Sequence, residues 1–540
     1  LLAAICAHDA HADQKTVCTI TVNSSDEKEE FRRSLPQDEF RFVELVEQGR
    51  PDWLKSACEQ GVRCDVLLIS GHYDGRDEFY SDRVDARGFL PVQEMERASC
   101  SPSCSGLFSR LKEVYLFGCN TLNPEALERA SAEIERSLVN SGYSHADAER
   151  LSRALKLRHR ESSRDRMRLI FNGVPVIYGF SAKAPVGPAA ASMLNTYFRS
   201  SGASEIASGR PNARLLSYFH SSSMTVARGL SDSDVLAGFR RDVCQFADDA
   251  LSPALKIRFV HQLMSRDMAE VRLFLDRIEK DVASVSDTQW RAPDFSRALD
   301  EIVADKVARS RYLDFARDAD EPAVRARMIK LAGRLGWLSP EEEREEFVKL
   351  INASLEKDRV SPADVDLVCA LNGDGQLEKE LDRLHAPSTS TVSAGQAAVL
   401  ACLGSVTARV QVIHALTSSD AGEGQIAQAY LRRRPITDAD ELRTLALSIA
   451  NMNDSAVQLR ALAALEGQPL SDPETLETFA RLFPIAQSAA VQAAIANILI
   501  RSDFQVLASL NLAHALRVSS PTSTGRTGAV EILLRHLEGG

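Results

Sequence analysis

The sequence predicts an α/β domain built on a mainly parallel sheet, followed by an all-α region. Three observations carry this. Short apolar runs at 66–70, 114–117 and 173–179 are flanked by glycine, as in strands covered on both faces. They alternate with helical segments in a β-α-β-α-β order, which implies parallel strands joined by right-handed crossovers. From about residue 250 strand signals cease, and Ala/Leu-rich amphipathic segments take over.

The elements follow in order. Residues 17–22, rich in Thr, Val and Ile, form the first strand. Asn23-Ser24-Ser25-Asp26 supplies capping side chains for a helix through 27–31. A second strand spans 40–46. A second helix runs from Pro51, a favourable first-turn residue, to Gly61, a favourable stop. The third strand, 66–70, passes into Gly71-His72-Tyr73-Asp74-Gly75. Residues 76–105 read as a long excursion, and 107–113 as a short helix leading to the strand at 114–117. That strand ends in Gly118-Cys119-Asn120-Thr121. A polar helical segment precedes the strand at 173–179, and a helix at 189–198 follows it. The sheet has at least five strands.

Composition bounds the function. With 540 residues the chain exceeds one core. A hydrophobic content of 44% with 26% charged residues is that of an ordinary globular protein. A formal net charge of −11 argues against a general nucleic-acid or anionic-membrane binder. No apolar stretch approaches the roughly 20 residues that span a bilayer, so no membrane span is expected.

Residues 1–12 are expected to be the remnant of a secretory signal. Leu1 to Ala7 is apolar, and Ala10-His11-Ala12 has the small-x-small form of a cleavage site. Cysteine usage agrees with export. Past Ala12 lie nine cysteines, and setting Cys119 aside leaves an even number, which permits full pairing in an oxidising compartment. Cys58/Cys64 and Cys100/Cys104 are close enough for local loops, although connectivity does not follow from sequence. A zinc site from those four fits poorly, since neither spacing is a tight Cys-x-x-Cys and no histidine lies near.

His72 and Cys119 are the residues that carry chemistry. In open α/β sheets ligands bind just beyond the carboxyl ends of the strands, and a thiol and an imidazole brought to that edge equip a nucleophile with its base.

These residues also carry a resemblance. Ile69-Ser70-Gly71-His72, Leu116-Phe117-Gly118-Cys119-Asn120-Thr121 and Gly173-Val174-Pro175-Val176-Ile177-Tyr178-Gly179-Phe180-Ser181, with the helix from Ala189 to Phe198, resemble clan CD cysteine peptidases. The likeness covers roughly residues 15–245 and is greatest to the caspase-like CHAT domains of bacteria. It implies a caspase-like fold and a cysteine endopeptidase in which Cys119 attacks a peptide carbonyl and His72 is the acid–base partner. The oxyanion hole would use the backbone N–H groups of Cys119 and Tyr73. The family usually has glycine where Tyr73 stands, which narrows the approach. An acidic residue in the family's primary pocket selects basic side chains, a role open to Asp74, Asp82 and Asp85, with Asp77 in the same cluster. No metal or organic cofactor is required, although some members use calcium for activation. With the signal remnant and the cysteine usage, the expected location is periplasmic or secreted, in a bacterium.

Residues 149–168 hold Arg150, Arg153, Lys156, Arg158, Arg160, Arg164, Arg166 and Arg168. They read as a solvated helix, or as a site of self-cleavage between the two strands. His145 and His159 are expected to be exposed bystanders.

Residues 250–540 read as a HEAT-like α-solenoid that binds a protein partner. Asp320-Glu321-Pro322-Ala323-Val324-Arg325 opens one helix. Asn453-Asp454-Ser455-Ala456-Val457 and Gln487-Ser488-Ala489-Ala490-Val491 echo it at nearly the HEAT period. Trp337 and Phe483 occupy apolar positions and are expected in the core. The alternative to a peptidase is an interaction scaffold with an inactive caspase-like domain, favoured by Tyr73. A thiol enzyme acting on an ester or small amide is a third reading.

Overall fold

A computed structural model describes residues 14–45, 54–82 apart from Arg76, 88–125, a few positions in 138–151, 162–383 apart from Asp358, 392–509 apart from Pro469, Gln487 and Asp503, Leu512, and 527–538. The chain divides into two compact units, Leu1–Phe315 and Ala316–Gly540. The first is a mixed α/β unit with further helices; the second is largely helical.

The described residues of the first unit form nine strands: β1 (Lys15–Thr21), β2 (Phe40–Glu44), β3 (Val66–Ser70), β4 (His72–Tyr73), β5 (Glu78–Tyr80), β6 (Phe89–Pro91), β7 (Glu113–Phe117), β8 (Val176–Phe180) and β9 (Met224–Ala227). Six make one sheet in the order β2-β1-β3-β7-β8-β9. Its pairings are parallel, except that β9 runs antiparallel to β8.

Side chains of period two divide between two cores. On one face Leu67, Ile69, Val114, Leu116 and Ile177 pack with Met95 and Ala98 of helix Val92–Cys100 and Met167 and Ile170 of helix Ser163–Ile170. On the other, Val66, Leu68, Tyr115, Phe117, Val176 and Tyr178 meet Phe31 of helix Asp26–Ser34 and Leu194, Tyr197 and Phe198 of helix Gly187–Arg199. The Phe31 ring stands 5.1 Å from both Tyr115 and Phe198. Burying such a ring contributes roughly 1.5–3 kcal/mol. The result is helix, sheet and helix in three layers.

Polar anchors fix the sheet at its other edge. Glu113 is fully buried at the start of β7 and accepts from the Tyr115 hydroxyl (2.8 Å) and the Ala207 and Gly209 N–H groups (2.9 and 3.0 Å). Ala207 takes the left-handed conformation, with φ 61°, inside that carboxylate's grip.

Strands β4, β5 and β6 form a small antiparallel sheet. One of its rows, Tyr73, Phe79 and Leu90, is buried; the other holds His72 with the exposed rings of Tyr80 and Phe89. This sheet and β9 are additions to the five strands expected from sequence. The helix expected at 107–113 is absent. There the backbone turns back on the segment before β3, with Cys64 N–H donating to Leu107 O (3.2 Å) and Lys112 N–H to Asp65 O (2.9 Å). The helix lies earlier, at Val92–Cys100, where Val92, Met95, Glu96 and Ala98 are buried at helical spacing.

The cysteines pair at long range rather than in local loops: Cys18–Cys64, Cys58–Cys104, Cys100–Cys244 and, in the second unit, Cys369–Cys402. Their Cα separations of 4.7 to 5.6 Å suit a disulfide. Cys100–Cys244 joins helix Val92–Cys100 to helix Ala237–Ala247. Beside it a buried carboxylate, Glu96, receives Arg166 (3.2 Å) and, through both oxygens, Arg277 of helix Met268–Ser284 (2.8 and 3.0 Å).

In the second unit, three helices start where proline and a capping side chain coincide. Ser339, Ser361 and Asp472 cap helices Pro340–Leu355, Pro362–Leu371 and Pro473–Leu482. Asp454 caps Ser455–Leu465, and Ser488 immediately precedes Ala489–Arg501, as the echoed motifs require. Helices Ala421–Arg433, Ser455–Leu465, Ala489–Arg501 and Thr527–Glu538 touch in succession, as do Ala439–Ala450, Pro473–Leu482 and Phe504–Ser509. Two alternating rows result. Trp337 and Phe483 are buried.

Candidate active site

Strands β3 and β7 are parallel neighbours whose last paired residues are Ser70 and Phe117. The ladder continues one step, Gly71 N–H donating to Phe117 O at 3.2 Å. Two residues beyond the paired ends, on either strand, come His72 and Cys119. Leu68 and Tyr115, with Phe117, line the same core face just before these ends. The expected pair therefore leaves the same edge of the sheet, at the same level.

The two chains approach closely just before these residues. A Cβ on Gly118 would lie 2.8 Å from Gly71 O and 3.1 Å from Tyr73 Cβ. Glycine is required there by space alone. Two further contacts draw the following loops together: Ser163 Oγ donates to Gly75 O (2.8 Å), and Arg164 N–H to Asn123 O (3.1 Å).

Cys119 sits on a sharp turn. Asn120 has φ 59°, a conformation that Asn tolerates better than most residues. Asn120 N–H donates to Ala182 O (2.6 Å), and Thr121 Oγ1 donates to Gly118 O (3.1 Å) while accepting from Phe180 N–H (3.0 Å). The turn is thereby bolted to the end of β8. The sulfur accepts from Ala184 N–H at 3.3 Å. Cys119 is half-buried, and it is the one free cysteine among the described residues.

His72 lies on β4, with its side chain 39% exposed. Its Nε2 stands 3.2 Å from Asp82 Oδ2, and its ring lies 5.4 Å from that of Tyr80. Tyr73 turns the other way: its ring is buried against Phe79 at 4.8 Å, and burial pushes its hydroxyl well above the ordinary tyrosine range. Asp74 N–H donates to Glu78 O (3.3 Å), so antiparallel alternation turns the Tyr73 N–H away from β5.

The acidic residues after His72 separate. Asp74 Oδ1 accepts from the N–H groups of Asp77 (2.8 Å) and Glu78 (3.2 Å), closing a turn. Asp77 lies 3.7 Å from both Arg166 and Lys280. Asp82 engages His72, and Asp85 lies outside the described residues.

Sequence reasoning missed one further carboxyl, at the end of β3. Glu27 opens helix Asp26–Ser34 at the carboxyl end of β1 and is 3% exposed. Its carboxyl meets the Ser70 side chain, two residues before His72, and its Oε2 has no hydrogen-bond partner. Burial, partly offset by hydrogen bonds from its own backbone and Ser70, pushes its pKa up to about 7. A first-turn Glu normally reads as a helix-dipole residue. Only its place beneath the β3 terminus marks it out.

Of the basic segment, Arg150, Arg153, Lys156, Arg158, Arg160 and His159 lie outside the described residues, as do residues 1–13. Arg164, Arg166 and Arg168 are on helix Ser163–Ile170, and Arg166 is buried against Glu96. His145 is exposed.

Among the described residues no cluster of three or more His, Cys, Asp or Glu side chains is placed to hold a metal ion. No helix there is long and apolar enough to cross a membrane. In the second unit a cavity of about 370 Å³ lies between helices Val406–Ala415 and Ala439–Ala450. Its acids are engaged: Asp438 caps its helix at Glu441 N–H, Glu441 pairs with Arg409, and Asp440 with Arg443.

No protein-family model matches this sequence, and neither a curated protein nor a solved structure matches it.

Proposed function

We propose that this chain is a caspase-like, CHAT-like cysteine endopeptidase with Cys119 as nucleophile and His72 as its acid–base partner. The observation that supports this best is the common level of the two residues beyond paired strands, with a sulfur left free while every other described cysteine is in a disulfide. His72 takes the Cys119 thiol proton, and the thiolate attacks the peptide carbonyl carbon as the π electrons move to oxygen. The oxyanion collapses with cleavage of the C–N bond while His72 passes that proton to the leaving amine, and water then hydrolyses the thioester. The Cys119 and Tyr73 N–H groups receive the oxyanion. Tyr73 suits this role better than its size implies, because its ring is packed away against Phe79.

The pocket for a basic side chain in this reading draws on the acidic residues after His72, among them Asp74, Asp82 and Asp85. The four disulfides favour an oxidising compartment, in keeping with a secreted or periplasmic bacterial protein. The alternating helical rows are read as a HEAT-like solenoid that binds a protein partner.

The test is turnover of a panel of peptides ending in Arg, Lys or Asp before a fluorogenic leaving group. The account expects cleavage after Arg or Lys, abolished in Cys119→Ala. Absence of turnover on every peptide, or undiminished turnover in Cys119→Ala, contradicts it.

A further inference from the structure

We propose that Asp82 is a positioning residue that fixes the orientation and tautomer of His72, making the site a Cys119–His72–Asp82 triad rather than an isolated dyad. This deepens the endopeptidase reading and rests on it. The geometry is local and explicit. Strand β4 carries His72 and pairs with β5 so that Tyr80 stands directly across from it. Asp82 lies two residues beyond Tyr80, which at strand periodicity returns to the same side. The ring of Tyr80 covers one flank of the imidazole at 5.4 Å, and Asp82 Oδ2 meets Nε2 at 3.2 Å. Across the small sheet the opposite row, Tyr73, Phe79 and Leu90, is buried, so the hairpin holds a fixed pose while presenting these side chains outward.

The chemical consequence follows from the two ring nitrogens being distinct. A carboxylate at Nε2 favours the tautomer that keeps its proton there, leaving Nδ1 unprotonated to take the thiol proton. When His72 becomes an imidazolium, the same carboxylate stabilises the charge; Asp82 itself takes no proton. The arrangement also explains an otherwise idle piece of architecture. The three short strands interrupt the run between β3 and β7; Tyr80, from β5, and Asp82, from the segment just after it, stand against His72.

Asp82 is two-thirds exposed, at 67%, so replacing it leaves the core untouched. The experiment compares wild type, Asp82→Asn and Asp82→Glu on one Arg- or Lys-terminated fluorogenic peptide, with the His72 ring followed by ¹⁵N NMR. The expected result for Asp82→Asn is a roughly tenfold or greater fall in kcat with KM little changed. The Nε2–H signature of His72 should be lost from the spectrum, and Asp82→Glu should restore most of the rate. An Asp82→Asn enzyme with wild-type kcat and an unchanged His72 spectrum overturns the inference while leaving the endopeptidase reading intact. If wild type itself turns over no peptide, that reading fails and this inference fails with it; the NMR comparison then tests only the ion pair.

Discussion

Gly118 lies against Gly71: a methyl group added to Gly118 would stand 2.8 Å from the Gly71 carbonyl oxygen, closer than real Cβ contacts allow. This contact sets how near the His72 and Cys119 chains run as they leave the sheet. Gly118→Ala is therefore expected to cost roughly 1–3 kcal/mol through overpacking, and to slow reaction of Cys119 with a thiol-directed electrophile. Thermal unfolding and labelling rates measure the two effects. Wild-type stability and labelling together would contradict the close approach.

Glu27 gives a pH-dependent prediction. Its folded-state pKa is raised from 4.5 to about 7, so ionisation opposes folding. The penalty is absent below about pH 4.5, grows as pH rises, and is complete above about pH 7, where it reaches roughly 3 kcal/mol. Glu27→Gln should then be more stable than wild type at pH 8 and little different at pH 4, by denaturant unfolding.

The buried ion pairs of Glu96 act in the opposite sense. Although burial opposes its charge, Arg277 and Arg166 together hold its carboxyl down to about 2. The stabilisation is present above the unfolded value and is lost as pH falls from about 4.5 toward 2. Arg277→Met leaves Glu96 with Arg166 alone, and removal of one partner of a buried ion pair costs about 3–5 kcal/mol. Unfolding at pH 7 should show a loss near the lower end of that range, narrowing at pH 3. A neutral substitution would contradict the anchoring role.

Cysteine pairing predicts a simple alkylation pattern. Under non-reducing conditions the nine cysteines beyond residue 12 should yield one modified site, Cys119, by peptide mass spectrometry. Modification at Cys18, Cys58 or Cys100 in the folded protein would contradict the pairing.

Much of the sheet was legible because its strands are buried on both faces. Residues 66–70 matched the observed β3, and the helix after β8 was found within a turn at either end. What escaped was structure without a hydrophobic period of its own. Strand β5 is three residues long and β4 two, too short to show alternation, so Asp82 looked like one acid among several. Disulfide partners were hidden for a related reason: Cys100 finds Cys244 across 144 residues, a distance set by tertiary packing. Glu27 escaped because burial, and not residue type, makes it unusual.

The most direct measurement of the central claim is labelling by a peptidyl electrophile with an Arg residue beside the reactive carbon, applied to wild type and His72→Ala. The account predicts a single adduct on Cys119 in the folded wild type and a labelling rate reduced at least about a hundredfold in His72→Ala. Equal labelling of both proteins, or no adduct on Cys119, would contradict it.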